Sequence, residues 1–171
     1  DYFDENGNSL RKTFLRAPLQ FYRISSKFRK KRYHPVLKRY RDHLGTDYAA
    51  PRGTPIMSVA DGIIKEVRWG KNNGRFVKIS HNNMYSTQYL HMSKFEKGIK
   101  KGKKVLQGEV IGYVGSTGLA TGPHVCFRFW RNGNQVDPYK QKDLPEGEPI
   151  SPKHLNSFFY VKDKYILSLS D

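Results

Sequence analysis

Short β-type segments separated by turn residues fill the middle of this chain and limit how it can fold. Their spacing of about ten residues is typical of an antiparallel meander or sandwich. Four of them follow one another: Pro55–Ala60, Gly62–Trp69, Arg75–Ser80 and Tyr85–Met92. Glycine-punctuated short segments continue to Gly115, and no helix of ordinary length fits between residues 18 and 140. The sequence therefore predicts a mainly β domain built from antiparallel sheets.

The chain divides by composition into three parts. Residues 1–17 are polar with scattered aromatic side chains, and we interpret them as an N-terminal arm or linker from a longer protein. Residues 18–140 are expected to form the domain itself, and residues 141–171 a linker followed by a short helix. The helix is predicted over 152–167, because Ser151-Pro152 supplies an N-cap and a first helical residue.

The first part of the domain carries a loosely alternating segment and then a basic one. A first strand is expected within residues 19–28, with Phe21 and Ile24 pointing inward. Residues 29–41 contain seven Lys and Arg side chains without helical periodicity, and Pro35 would break a helix. We therefore expect an exposed basic loop there.

Charge and cysteine content restrict the class of protein. The 171 residues include 31 Lys and Arg against 15 Asp and Glu, a formal charge of +16, so the partners should be anionic. Nucleic acid, an anionic membrane face and an acidic wall polymer all meet this requirement. A single cysteine excludes an intramolecular disulfide, and no apolar run is long enough to span a bilayer. No signal peptide is recognisable at the N-terminus, so any targeting segment is expected upstream.

The segment His124-Val-Cys-Phe-Arg-Phe-Trp130 combines a core face with a chemical face. As a strand, it places His124, Cys126, Arg128 and Trp130 on one side and its three apolar residues on the other. An imidazole and a thiol two residues apart can then meet one metal ion or one substrate atom. Taken alone, such a pair is more often a polar strand edge with a small hydrophobic cysteine.

A second pair, His43 and Asp47, lies upstream, and a further histidine, His91, lies between the two. The spacing of His43 and Asp47 would suit a helix face, but Gly45 and Pro51 argue against a helix. In a straight strand four residues span about 13 Å, too far for two ligands of one ion. The sequence therefore requires a bend near Gly45 if both side chains bind the same metal.

Together these segments resemble the lysostaphin/LytM-type zinc metallopeptidases, whose motifs are His-x3-Asp and His-x-His. The matching segments are His43-x3-Asp47, Tyr89-Leu-His91-Met-Ser93 and Gly115-Ser-Thr-Gly-x-x-Thr-Gly-Pro-His124-x-Cys126. The resemblance implies a lysostaphin-like β-sheet fold (a duplicated hybrid motif) with a central metal groove that holds one zinc ion. It also implies hydrolysis of peptide cross-links in bacterial peptidoglycan, by a protein of the periplasm or the cell exterior.

The resemblance also implies roles for individual residues. His43 and Asp47 correspond to two zinc ligands, and His91 and His124 to the two catalytic histidines that activate water and stabilise the oxyanion. The third ligand of the family is the second histidine of His-x-His, and here Cys126 takes that position. Thiolate is a competent zinc ligand, but it leaves the ion and its ligands neutral instead of singly positive. We therefore expect a weakened or retuned enzyme, with Arg128 partly offsetting the change and Arg128 and Trp130 bordering the substrate groove.

Three other functions compete with this one. Some members of the same family lack zinc ligands and bind the wall or regulate other wall hydrolases. Charge alone suggests a nucleic-acid binder, but no recognition helix, zinc-finger spacing or RNA-binding signature is present, and we expect no nucleic-acid partner. A Cys126–His124 cysteine-protease dyad would leave His43 and Asp47 unexplained. The remaining histidines, His34, His81 and His154, are assigned no chemistry.

Overall fold

The computed structural model describes residues 3–9, 13–34, 38–141, 144, 147 and 149–168. The chain separates into two compact units. The larger spans residues 15–142, and the smaller is formed by the two ends of the chain, residues 1–14 and 143–171. The boundaries predicted at residues 17 and 140 stay a prediction.

Apart from one turn of 3-10 helix, the regular secondary structure in the described part of the larger unit consists of strands. Their bounds in chain order are β1 (Arg23–Ser26), β2 (Arg29–His34), β3 (Arg39–His43), β4 (Thr46–Ala49), β5 (Pro55–Met57), β6 (Gly62–Gly70), β7 (Gly74–Ser80), β8 (Tyr85–Met92), β9 (Lys94–Phe95), β10 (Lys104–Val105), β11 (Val110–Tyr113), β12 (His124–Arg131) and β13 (Asn134–Val136). One turn of 3-10 helix, Pro138–Lys140, follows them. The four segments of the predicted meander are all strands, which differ from the prediction by a few residues at their ends.

Three antiparallel sheets contain these strands. The main sheet has the order β1-β4-β12-β8-β7-β6-β10, with β13 paired to β12. A second sheet has the order β5-β11-β9, and β2 and β3 form a separate two-stranded hairpin. The predicted mainly β, antiparallel fold is thus confirmed. In this strand order β4, β12 and β8 lie side by side in the main sheet, and these three strands carry the candidate site residues Asp47, His91, His124 and Cys126.

The core lies behind these central strands. Val125, Phe127 and Phe129 of β12 are buried, as the alternation predicted. The ring of Phe127 packs against Tyr89 of β8, with centroids 5.4 Å apart. The hydroxyl of Tyr89, itself fully buried, accepts hydrogen bonds from the Val59 N–H and the Thr87 hydroxyl, both at 3.0 Å. Large side chains thus hold one face of β12 in place, which fixes the other face for chemistry.

Two expectations for the start of the domain were wrong. The first strand is shorter than residues 19–28, Phe21 is 79% exposed, and Ile24 is only half-buried. The inward residue is Leu19, which lies before the strand. The basic segment is exposed as expected but forms the β2–β3 hairpin instead of a loop, because backbone pairing satisfies its polar groups without an apolar face. Pro35 lies outside the described residues.

The smaller unit contains the chain's α-helix. Helix α1 spans Pro152–Ser168 and begins where the sequence predicted. Its Phe158 ring meets Phe3 edge to face at 6.2 Å, and the Ile150 N–H donates to the Gly7 carbonyl at 2.9 Å. Neither α1 nor any other described helix has the length and apolar character that crossing a bilayer requires.

Candidate metal centre and active site

Strand pairing places two chemically active positions on one face of the main sheet. Cys126 of β12 lies directly opposite Asp47 of β4 and, on its other side, opposite Leu90 of β8. Residues directly opposite each other in an antiparallel pair carry their side chains on the same face. Asp47 and Cys126 therefore point to the same side, and His91 follows Leu90 at the end of β8.

The bend that the sequence required lies at Gly45. Strand β3 ends at His43 and β4 begins at Thr46, so the chain changes direction between the two polar residues. A Cβ atom at Gly45 would lie 2.9 Å from the Phe127 carbonyl oxygen and 3.0 Å from the Cys126 Sγ. Glycine thus allows this corner to approach β12 closely. As a result, His43 Nε2 lies 2.9 Å from Asp47 Oδ1.

His43, Asp47 and Cys126 bring three potential ligand atoms together. These atoms lie within 4.8 Å of one another, and Cys126 Sγ is 3.8 Å from His43 Nε2. Ligand atoms of a tetrahedral zinc ion, at bond lengths of about 2.0–2.3 Å, lie roughly 3.3–3.8 Å apart. One nitrogen, one oxygen and one sulfur also suit this borderline-soft ion. The residues present therefore fit zinc, and three protein ligands leave a coordination position for water or substrate.

Neighbouring groups orient the first two of these side chains. His43 Nδ1 lies 3.1 Å from the Lys27 carbonyl, which directs Nε2 toward Asp47 and Cys126. Asp47 Oδ2 lies 3.4 Å from the Arg32 guanidinium, which also donates to the Ser26 hydroxyl. Burial opposes ionisation of Asp47, but the hydrogen bond and charge of His43 outweigh it and hold the pKa of Asp47 at about 2. The carboxylate is therefore ionised and available as a ligand.

Cys126 is the most deeply placed of the three. It is 3% exposed and packs with Phe76 and Leu90. Burial, followed by the charge of Asp47, raises the pKa of the Cys126 thiol far above its ordinary value, while Arg128 acts in the opposite direction. A coordinating cation deprotonates a thiol outright, so metal binding here must release the thiol proton. Metal binding and the charge state of Cys126 are therefore coupled.

His91 and His124 face each other beside this cluster, with ring centroids 4.8 Å apart. His91 Nδ1 is 2.7 Å from the Thr117 carbonyl, and His124 Nδ1 is 2.8 Å from the Gly122 carbonyl. Because a carbonyl oxygen only accepts, the hydrogen of each ring lies on Nδ1 and Nε2 keeps its lone pair. His124 Nε2 is 3.9 Å from Asp47 Oδ1. Both rings thus have a nitrogen able to accept a proton next to the ligand cluster.

The backbone at His91 is held in an unusual conformation. Its φ is 66°, in the left-handed region that residues other than glycine seldom adopt, and its N–H donates to the Asn73 carbonyl at 2.9 Å. Gly74 allows Thr117, whose carbonyl holds the His91 ring, to approach closely, since a Cβ at Gly74 would lie 2.2 Å from the Thr117 hydroxyl oxygen. Burial and the charge of His124 lower the pKa of His91 to about 4. His91 is therefore a rigidly held, neutral imidazole at neutral pH.

All five residues of the predicted ligand and catalytic sets line one groove of about 330 Å³. Arg128 also lines it, and its contact with a substrate stays a prediction. Trp130 is not among the lining residues that the structure describes, and its ring lies beneath the Lys78 ammonium at 5.0 Å. A substrate contact of Trp130 stays a prediction. His81 Nδ1 donates to the Asp61 carbonyl at 2.7 Å and Nε2 lies 2.7 Å from the Thr87 hydroxyl, which is a structural position.

Sequence analysis missed several contributors to the site. Arg32 reaches Asp47 from the β2–β3 hairpin, and Arg41 of the same hairpin lines the groove. The carbonyls of Thr117 and Gly122 set the two histidine rings. The glycine-rich segment before His124 was a signal for the carbonyl positions, because such a loop presents backbone groups. For the arginines the only signal was the density of basic residues.

Comparison with known proteins identifies the family. Residues 41–138 match the model of peptidase family M23, and this range contains all five residues of the ligand and catalytic sets. The chain belongs to this family. The match covers more than half of the 171 residues.

Individual relatives agree with this membership. The chain is 41% identical over 158 residues to the peptidoglycan DD-endopeptidase ShyC of Vibrio cholerae, which covers 92% of this chain and 36% of that protein. Among solved structures, a zinc-containing peptidase from Vibrio cholerae is 41% identical with a TM-score of 0.71, covering 84% of this chain and 44% of that one. The catalytic domain of lysostaphin from Staphylococcus simulans is 27% identical with a TM-score of 0.60, covering 69% and 90%. The chain thus spans little more than a third of the curated relative's length.

Proposed function

We propose that this chain is the catalytic part of a zinc endopeptidase that hydrolyses peptide cross-links of bacterial peptidoglycan. It acts in the cell envelope, in the periplasm or outside the cell. The observation that carries the proposal is the placement of the His43, Asp47 and Cys126 ligand atoms within 4.8 Å of one another, beside two histidines whose Nε2 atoms are available. Relatives named as peptidoglycan DD-endopeptidases support the choice of substrate.

His43, Asp47 and Cys126 hold the metal in this proposal. When bound, zinc supplies Lewis acidity for the scissile carbonyl and makes water nucleophilic at neutral pH. Asp47 brings a full negative charge, and the guanidinium of Arg32 holds its second oxygen in place. Lys27 fixes the His43 ring through its carbonyl. The chain thus prepares the His43 and Asp47 donors before the metal arrives, whereas Cys126 loses its thiol proton when the metal binds.

His91 and His124 move the protons. Because Nδ1 of each ring is bound to a carbonyl, each Nε2 can accept a proton from water and later return it to the leaving amine. The 4.8 Å between the two rings allows one Nε2 to accept a proton from water, while the other ring, when Nε2 also carries a proton, donates to the carbonyl oxygen as it becomes negative. The hydrogen bond from Nδ1 to the Thr117 carbonyl keeps the His91 ring from rotating away.

Replacing Cys126 tests whether its thiol supports zinc binding and turnover. We expect one zinc ion per chain, purified under reducing conditions without chelator, in both the parent and Cys126→His. Turnover of cross-linked wall peptides should rise in the histidine variant, because a neutral ligand leaves the metal more positive. Removal of zinc by a chelator should abolish turnover in both, and added zinc should restore it.

The alternative within the family is a degenerate module that binds the wall or regulates other hydrolases. The observation that favours it is the cysteine at a position where the family motif has histidine. Zinc bound by Cys126→His but not by the parent would support this alternative and contradict the proposed enzyme. Cobalt substitution gives an independent readout, because a thiolate ligand adds a charge-transfer absorption that Cys126→Ala should lack.

A further inference from the structure

The charges along the groove are not balanced. Its lining includes three arginines and two aspartates: Arg32, Arg41, Arg128, Asp42 and Asp47. Asp47 already contacts Arg32 and His43, and Asp42 accepts a hydrogen bond from the Lys31 N–H at 3.1 Å. Among the ion pairs of the described residues, neither Arg41 nor Arg128 has a carboxylate partner. The groove therefore presents unneutralised positive charge to its ligand.

Strand pairing in the hairpin places two arginines side by side. Arg41 of β3 lies directly opposite Arg32 of β2, so two guanidinium groups share one face. Like charges placed directly opposite each other in an antiparallel pair are destabilising. Asp47 already offsets the charge of Arg32, so Arg41 is the guanidinium group of this pair that an anion in the groove can neutralise. Arg128, on β12 two residues from Cys126, lines the same groove.

We propose that Arg41 and Arg128 form a subsite for a free carboxylate on the peptide, next to the bond that is cleaved. The inference rests on the proposed peptidase function and names the chemical class of its substrate. A guanidinium group matches a carboxylate with two parallel hydrogen bonds, which a carboxamide cannot reproduce because it lacks the charge. The subsite discriminates between peptides whose side carboxyl group is free and peptides in which it is amidated.

The test compares two synthetic peptides that differ only in this group, one with a free carboxyl beside the scissile bond and one with a carboxamide. A hydrogen bond to a charged group contributes enough to predict a kcat/KM about 10- to 100-fold higher for the acid peptide with the zinc-loaded parent. Arg41→Gln should lower the rate for the acid peptide and leave that for the amide unchanged. Arg128 also acts on the Cys126 thiol, so Arg128→Gln is judged by the ratio of the two rates, which should fall. Arg52→Gln, which removes an exposed arginine that does not line the groove, should keep the full preference.

Equal cleavage of the two peptides by the parent would overturn the subsite while leaving the peptidase function intact. An equal loss on both peptides in Arg41→Gln and Arg128→Gln would also overturn it, because the arginines would then serve the fold or the metal site. Binding of both peptides, measured by calorimetry, separates the two proposals. If neither is cleaved but the acid peptide binds more tightly in an Arg41-dependent manner, the proposed activity fails and the subsite stands. If neither binds, both fail.

Discussion

Gly45→Ala should separate the geometry of the metal centre from its chemistry, because it changes no ligand. The added Cβ would lie 2.9 Å from the Phe127 carbonyl oxygen and 3.0 Å from the Cys126 Sγ. Ordinary carbon contacts in a close-packed interior begin about half an ångström further out. Either β4 or β12 must therefore move. Overpacking of this kind costs about 1–3 kcal/mol of unfolding free energy.

The same displacement should weaken metal binding. His43 and Asp47 lie on the two sides of Gly45 in the sequence, and the new methyl group would contact the Sγ atom of Cys126. Loss of support around a metal site typically lowers affinity about 10- to 100-fold, and we expect a loss in that range for zinc. The assays are urea unfolding of the metal-free protein and competition for zinc with a chromophoric chelator.

Gly70→Ala is the matched control. Its Cβ would find the nearest atoms at 3.6 and 4.0 Å, which is ordinary contact, and neither atom belongs to a ligand. We expect its stability to stay within about 0.5 kcal/mol of the parent and its zinc affinity to be unchanged. If Gly45→Ala behaved like Gly70→Ala in both assays, the close approach at Gly45 would not be what assembles the site.

Three further predictions concern residues around the centre and in the core. His91→Ala and His124→Ala should each lower kcat about 10²- to 10⁴-fold while zinc content stays at the parent level; loss of zinc in either would mean that the histidine is a ligand. Burial lowers the pKa of His81 below its ordinary value of 6.5, so the unfolded chain takes up a proton at higher pH than the folded one. The unfolding free energy should therefore fall as pH drops below 6.5, and urea denaturation at pH 7.5 and 5 should show a smaller fall in His81→Gln. Tyr89→Phe should cost about 1–3 kcal/mol by the same assay, because it leaves the buried Val59 N–H without its acceptor; a variant as stable as the parent would show that this hydrogen bond does not matter.

Local sequence patterns predicted the features of this protein that depend on neighbouring residues. Alternation along β12 identified both the buried face of Val125, Phe127 and Phe129 and the chemical face of His124 and Cys126, because side-chain direction in a strand depends only on sequence parity. The bend at Gly45 followed from the reach of an extended chain. Helix α1 began at the predicted proline because capping preferences act within one turn.

Local sequence patterns could not predict which strands pair with one another. The sequence of residues 29–41 shows only charge, yet the segment pairs as a hairpin and delivers Arg32 to Asp47 and Arg41 to the groove. Phe21, apolar by composition, lies in water because no sheet covers it. The order of strands in a sheet depends on how all the elements of the domain pack together. The sequence of a single segment therefore does not determine its neighbours.

The mainly β class, the candidate ligands and the departure from the family motif at Cys126 were predictable from the sequence, since these depend on residue identity and local spacing. The structure was needed to show how the ligand atoms meet, which nitrogen of His91 and His124 carries the hydrogen, and that arginines of a separate hairpin line the groove. Most of these features depend on strand pairing and on groups that are distant along the chain, such as the Thr117 carbonyl beside His91 and the Arg32 guanidinium beside Asp47.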